Sequence, residues 1–231
     1  MTAWPSVTVL IVTYNRPTEI RKTIDALRVH LKYSGRIGWL LADDGSPDGY
    51  TDAIVQDYAD LRFAVSVTGR LGWAGNVNAA MAACETEFIY LNEDDYVSLY
   101  DINLDKGIAV LMGVPEVGLI RYDGLDGHKL ILEICETRSP IGRVPYLRVL
   151  WSSSGLNIYS NRPHLKHKRF HEHYGMYPIG LELGATETAF AHRVRKRHGL
   201  SIAALEDGIT KAFDHIGHSR KGTAHDPCRP K

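Results

Sequence analysis

Cysteine is scarce in this chain: Cys84, Cys135 and Cys228 are the only three in 231 residues, odd in number and far apart. That spacing makes neither a disulfide framework nor a zinc knuckle, so they read as ordinary thiols. An excess of either charge sign is also missing, since 27 Lys and Arg balance 27 Asp and Glu. The chain therefore carries no electrostatic footprint for nucleic acid or an anionic membrane. Long apolar runs are absent too. The longest near the start, Val9 to Val12, is too short for a signal-peptide core or a membrane span. These absences lead us to expect a soluble, cytoplasmic protein with no stable membrane insertion and no nucleic-acid partner. No repeat or low-complexity segment occurs, and only residues 219–231 have the polar, Pro-containing look of a loose tail. The length suits one α/β domain with a substantial core.

What is present centres on Glu87 to Asp95. Phe88 to Leu91 is a short continuous apolar run, as expected of a central strand covered on both faces. Glu93, Asp94 and Asp95 follow it directly, at the carboxyl end where open α/β sheets hold ligands. Three adjacent acids repel one another unless a cation sits among them, and hard oxygen ligands suit Mg²⁺ or Mn²⁺.

The rest of the first half supplies strand and helix in series. Val7 to Val12 reads as a buried strand, and Pro17 is placed to open a helix carrying Ile20, Ile24, Leu27 and Leu31. Ile37 to Ala42 makes a second strand ending in Asp43, Asp44 and the turn residues Gly45 to Gly49. An EF-hand reading of that loop fails, because counting from Asp44 the twelfth position is Val55 where a bidentate Glu is required. Phe63 to Val67 is the third strand, and Gly69, Gly72 and Gly75 then lead into a small-residue helix over Ala79 to Ala83. Such alternation implies a doubly wound, mostly parallel sheet whose strand-end loops share an edge, so that Asp44, Asn78 and Asp95 converge.

Beyond Asp101 the pattern predicts a mixed sheet. Val117 to Tyr122 and Lys129 to Ile134 suggest an antiparallel hairpin, Tyr146 to Trp151 a strand, Ser152 to Gly155 a polar turn at a cleft, and Ser201 to Leu205 a closing strand. A helix fits Thr186 to Arg197, with Glu187, Phe190 and Val194 on one face. His164, His167, His171 and His173 invite a zinc hypothesis, yet no third ligand stands at suitable spacing, and a basic, solvated wall is the preferred reading. Trp73 reads as packing, with Trp151 left open.

Taken together, Val9 to Arg16, Asp43 to Gly49, the Gly72 to Asn78 loop and Glu93-Asp94-Asp95 resemble the GT-A fold glycosyltransferases, specifically the large inverting family 2. The second half matches more loosely, through Phe170 to Gly175, Ala185 to Glu187 and His215 to Ser219. The resemblance implies a Rossmann-like α/β domain over residues 1–231. Residues 1–100 would form its nucleotide-sugar-binding half and 101–218 its acceptor-binding half. It further implies a metal-dependent, inverting transfer of a sugar from a nucleoside diphosphate, UDP being the favoured one, to an acceptor hydroxyl on a glycan or protein. Thr13, Tyr14, Arg16, Asp44, Asn78 and Asp94 would bind donor, with Asp44 accepting from the pyrimidine. Asp95 and His215 would ligate Mn²⁺ or Mg²⁺, with Glu93 and His218 as further candidates. Glu187 would be the catalytic base, with Glu182 in reserve.

Two alternatives belong beside this. A sugar-phosphate nucleotidyltransferase needs a Gly-rich, basic loop after its first strand, and Thr13 to Pro17 lacks that glycine run. A non-catalytic nucleotide- or carbohydrate-binding module would keep the fold without the chemistry.

Overall fold

The structure is a computed structural model, and it describes residues 4–122, 130–152, 159–205 and 212–219. Its first half runs β1 (Val7–Thr13), α1 (Pro17–His30), the short β2 (Leu31–Lys32), β3 (Ile37–Asp43), α2 (Tyr50–Asp57), β4 (Ala64–Val67), α3 (Gly72–Ala83) and β5 (Phe88–Glu93). Two short strands, β6 (Tyr96–Ser98) and β7 (Ile102–Asn103), lead to α4 (Leu104–Gly113) and β8 (Val117–Arg121). Then come β9 (Leu130–Ser139), β10 (Gly142–Ser152), β11 (His164–His167), α5 (Arg169–Tyr174), α6 (Leu183–Lys196), β12 (Ser201–Leu205) and β13 (Phe213–His215).

Nine of these strands form one sheet in the order β4-β3-β1-β5-β11-β8-β12-β10-β9. Every strand in it but β11 and β10 points the same way, which gives the mixed, mostly parallel GT-A-like sheet. All seven residues of β1 are buried, and alternation along it feeds two cores. Val7, Val9 and Ile11 pack with Ile20, Ile24 and Leu27 of α1 and Ile108 of α4. Leu10 and Val12 face the other way, toward Ala74, Val77 and Ala80 of α3 and Phe190 of α6. Removing such surface from water, at roughly 25 cal/mol per Å², holds the helices on both faces.

Local chemistry explains several boundaries. Pro17 opens α1, where its missing N–H costs no intrahelical bond. Asn103 caps α4 by accepting from the Lys106 N–H at 3.0 Å. The helix after the third strand starts at Gly72 and not near Ala79, because the Asp44 carboxylate reaches across to accept from the Leu71 and Gly72 N–H groups at 2.7 and 3.0 Å. Gly72 has φ +75°, a left-handed backbone that suits glycine.

The second half departs from expectation at three places. β9 pairs with β10 and not with β8, so the hairpin turns at Ser139 to Gly142, where Gly142 takes φ +102°. β12 lies inside the sheet between β8 and β10, so it closes nothing. The histidine-rich segment is no solvated wall: β11 sits in mid-sheet between β5 and β8, with His164 and Lys166 fully buried. Periodicity could not reveal this, because a buried strand made of His-Leu-Lys-His looks polar. Among the described residues, no helix is long and apolar enough to cross a membrane.

Candidate active site

The carboxyl ends of β1, β3 and β5 open into one cleft of about 530 Å³, lined by Thr13, Tyr14, Arg16, Asp44, Glu93, Asp94 and Asp95. Parallel register makes this so: Val12 lies beside Glu93 and Thr13 beside Asp43, so all three strands end at one level. Glu187 and His215 line the same cleft from the second half.

Asp94 is tied to the end of β1. Its Oδ2 accepts from Thr13 Oγ1 at 2.8 Å and from the Tyr14 N–H at 3.2 Å, and its Oδ1 takes Arg16 Nη1 at 3.1 Å. Burial nonetheless pushes its carboxyl up to about 7, against the pull of Arg16. Asp95 behaves in the opposite way. Burial alone would raise it, but hydrogen bonds and charge from His215 and Arg16 prevail and hold it below the usual carboxylate range. His215 Nε2 stands 3.1 Å from Asp95 Oδ2, Arg16 Nη1 touches the same oxygen, and Asp95 Oδ1 is buried with no hydrogen-bond partner among the described residues. Burial, and then the charges of Asp95, Asp94 and Glu187, push Glu93 well above the ordinary range.

His215 reaches this place by an antiparallel pairing of β13 with β6, which sets it opposite Tyr96, and by a bond from the Ile216 N–H to the Asp95 carbonyl at 2.9 Å. Its imidazole stacks on the Tyr96 ring at 4.6 Å with an interplanar angle of 11°. Gly217 completes the approach, since a Cβ there would collide with the Asp95 carboxylate. The side chain of His218 lies outside the described residues, as do that of Trp151, the stretch 153–158 and Cys228.

Glu187 sits on α6 in a row with Leu183 and Ala191, at steps of four, and that row lines the cleft while Phe190 and Val194 enter the core. Its Oε1 accepts the Asn161 backbone N–H at 2.9 Å, which holds the carboxylate on the cleft wall. Glu182 is exposed at the N-cap of the same helix and does not line the cleft.

Two sequence expectations need restating. Asn78 is not on the cleft wall: its amide grips the Tyr177 backbone, Nδ2 donating to the carbonyl at 2.9 Å and Oδ1 accepting the N–H at 3.1 Å. Asn76, two residues earlier, lines the cleft instead, because the helix turns Asn78 by about 200° away from it. Asp44 does line the cleft, but much of its acceptor capacity goes to Thr68, Leu71 and Gly72. Among the described residues no three His, Cys, Asp or Glu side chains gather as metal ligands, and each histidine has its own task. His164 Nδ1 meets the Arg162 carbonyl at 2.7 Å, His167 Nδ1 accepts the Arg169 N–H at 3.0 Å, and His173 Nε2 donates to the His198 carbonyl at 3.0 Å.

Residues 8–112, from β1 through α4, match the model of glycosyl transferase family 2. That stretch is similar to family 2, and the chain as a whole takes a GT-A-like fold. The sequence is also 30% identical over 95 residues to the UDP-forming cellulose synthase catalytic subunit of Xanthomonas axonopodis pv. citri, covering 41% of this chain and 13% of that protein. Among solved structures, the mannosyltransferase PcManGT from Pyrobaculum calidifontis, in complex with GDP-Man and Mn²⁺, superposes with a TM-score of 0.64 at 16% identity, over 97% of this chain and 60% of that one. TarS 1-349 of S. aureus in complex with UDP-GlcNAc gives 0.59 at 18% identity, over 94% and 62%. The chain thus spans about 13% of its curated relative and about 60% of the mannosyltransferase.

On β11, beside β5, lies a buried group whose polarity reads as surface in the sequence. Lys166 is fully buried and donates to His171 Nε2 at 3.0 Å and to the Tyr177 hydroxyl at 3.2 Å, while His171 Nδ1 donates to the Gly175 carbonyl at 3.0 Å. Desolvation lowers the Lys166 ammonium to about 7. The unfolded chain keeps that proton up to ~10.4, so between these values the folded state binds fewer protons and stability climbs with pH. The penalty is full below the folded value and gone above the unfolded one. Lys166→Met is expected to abolish this climb, worth up to ~1.4 kcal/mol per pH unit, and to leave the protein at least as stable at neutral pH. Urea denaturation of both proteins from about pH 6 to 9.5 checks this; equal slopes in the two would acquit the lysine.

Proposed function

We propose that this chain transfers a sugar from a nucleoside diphosphate, UDP being the favoured carrier, to an acceptor hydroxyl on a glycan or protein, with inversion at the anomeric carbon. The observation that carries this reading is the meeting of Asp95 and His215, 120 positions apart, in the cleft that Glu187 lines from a third element. Residues 1–100 would supply the donor side, and residues 101–218 the acceptor side with the base.

The donor set fits a divalent ion. Asp95 is held ionised, its Oδ1 is buried without a partner among the described residues, and an imidazole nitrogen stands beside the other oxygen. Two protein donors suffice where diphosphate oxygens and water fill the remaining positions. Asp95 and His215 would hold Mn²⁺ or Mg²⁺, and when bound the ion supplies Lewis-acid stabilisation of charge on the departing diphosphate. Arg16, within reach of both Asp94 and Asp95, adds a fixed positive charge on that side. The Arg70 guanidinium, 3.8 Å from the Tyr14 ring centroid, stiffens the loop beside the nucleotide.

At the other end Glu187 would take the proton from the acceptor hydroxyl as its oxygen attacks. One carboxylate oxygen is anchored by the Asn161 N–H and the other remains for the incoming proton. This is a base positioned from the backbone, so its geometry does not depend on a second flexible side chain.

The test is calorimetric binding of UDP-glucose, UDP-galactose, UDP-N-acetylglucosamine and GDP-mannose, each with Mn²⁺ and with chelator. Metal-dependent binding of at least one, at micromolar to low-millimolar Kd, is expected. Binding of none, under either condition, would overturn the reading.

A further inference from the structure

The chain re-enters the described structure at Tyr159, whose buried ring packs edge-on against Phe190 of α6 at 4.7 Å and whose hydroxyl meets that of Tyr177. Two residues on, Asn161 is 5% exposed, lines the cleft, and hands its backbone N–H to Glu187. Its side chain is otherwise unaccounted for. Neither Oδ1 nor Nδ2 of Asn161 has a hydrogen-bond partner among the described residues. A primary amide so placed is a standing cost to the fold unless a ligand satisfies it.

The chemistry of the amide narrows what that ligand offers. Glu93, Asp94, Asp95 and Glu187 are acceptors when ionised, and the arginines Arg16, Arg121 and Arg162 are donors only. Asn76, the other amide of the cleft, is committed, its Nδ2 bonding the Ala42 carbonyl at 2.9 Å. In Asn161 a donor and an acceptor stand side by side, both without a partner among the described residues. Adjacent ring hydroxyls, one donating and one accepting, are the complement of that pair.

Position then selects the ring. Glu187 acts where the acceptor oxygen meets the anomeric carbon, and the Asn161 backbone is bonded to Glu187 itself. In that reading Asn161 stands beside Glu187, at the seam where the acceptor side meets the sugar of the donor. Resting on the sugar-transfer reading above, we propose that the Asn161 side chain is the group that reads the transferred sugar, hydrogen-bonding two neighbouring hydroxyls of its ring and thereby discriminating between sugars that differ in hydroxyl configuration.

The same four nucleotide sugars, and UDP and GDP alone, test this on Asn161→Leu and Asn161→Asp. The backbone N–H that holds Glu187 survives both changes. Asn161→Leu is expected to weaken the preferred nucleotide sugar about tenfold or more, to leave the bare nucleoside diphosphate within about twofold, and to shrink the preference between UDP-glucose and UDP-galactose by a similar factor. Its melting temperature should not fall, since the unsatisfied amide is gone. Asn161→Asp, which keeps size and acceptors but loses the donor, should lose part of the discrimination and serves where the leucine variant does not fold. Unchanged discrimination in both variants, or equal weakening of nucleotide sugar and bare nucleotide, would overturn the assignment. A wild-type protein that binds none of the four nucleotide sugars removes the transfer reading and this one with it, which separates the two failures.

Discussion

Glu187→Gln is expected to lower kcat by about 100- to 10,000-fold, the range general-base removal costs, while donor Kd stays within about twofold. The substitution is nearly isosteric, and the glutamine carbonyl can still accept the Asn161 N–H that now binds Oε1 at 2.9 Å. Neither the α6 helix nor the core below it is disturbed, because the buried positions of that helix are Thr186, Phe190, Ala191 and Val194. What changes is the ability to take a proton. Single-turnover transfer, with donor binding followed separately, reads the effect. A kcat within tenfold of wild type would remove Glu187 from the base role, and Glu182, exposed and off the cleft, could not inherit it without a large rearrangement.

The second large effect is at Asp95. Asp95→Asn keeps shape and removes charge from the one acid that Arg16 and His215 share. Metal-dependent enhancement of donor binding should vanish, and turnover should fall on the order of 100- to 1,000-fold, as when a main source of leaving-group stabilisation is lost. Arg16 retains Asp94 at 3.1 Å, so the loop after β1 keeps its anchor and the fold survives. Titrating Mn²⁺ into the protein by electron paramagnetic resonance, without any donor, gives a readout independent of activity. A variant that binds Mn²⁺ as tightly as wild type would show that the ion sits elsewhere.

The first half is legible because its signals are local. Val9 to Val12 and Phe88 to Leu91 are unbroken apolar runs followed by polar residues, and parallel pairing forces their ends to one edge. Pro17, the Gly-rich approach to α3 and the acids after β5 each announce a boundary within a few residues. The second half depends on contacts that no short window contains. His164 and Lys166 read as surface because their polarity is visible in sequence and their burial between β5 and β8 is not. The hairpin was misplaced because Asp123 to Gly127 carries stronger turn chemistry than Pro140 to Gly142, where the chain in fact reverses between β9 and β10. Asn78 turns away from the cleft because α3 starts at Gly72, a start that lies earlier than the sequence pattern places it and sets the phase of Asn76 and Asn78. Asn161 gave no sequence signal at all, since its place is fixed by a backbone bond to a residue 26 positions on.

The pairing of β13 with β6 bears on when the molecule becomes competent. A nascent polypeptide that has emerged only through β12 already owns the nine-stranded sheet and all of its acids, but the imidazole beside Asp95 is still missing. A product truncated before Phe213 would therefore carry the acids without that imidazole.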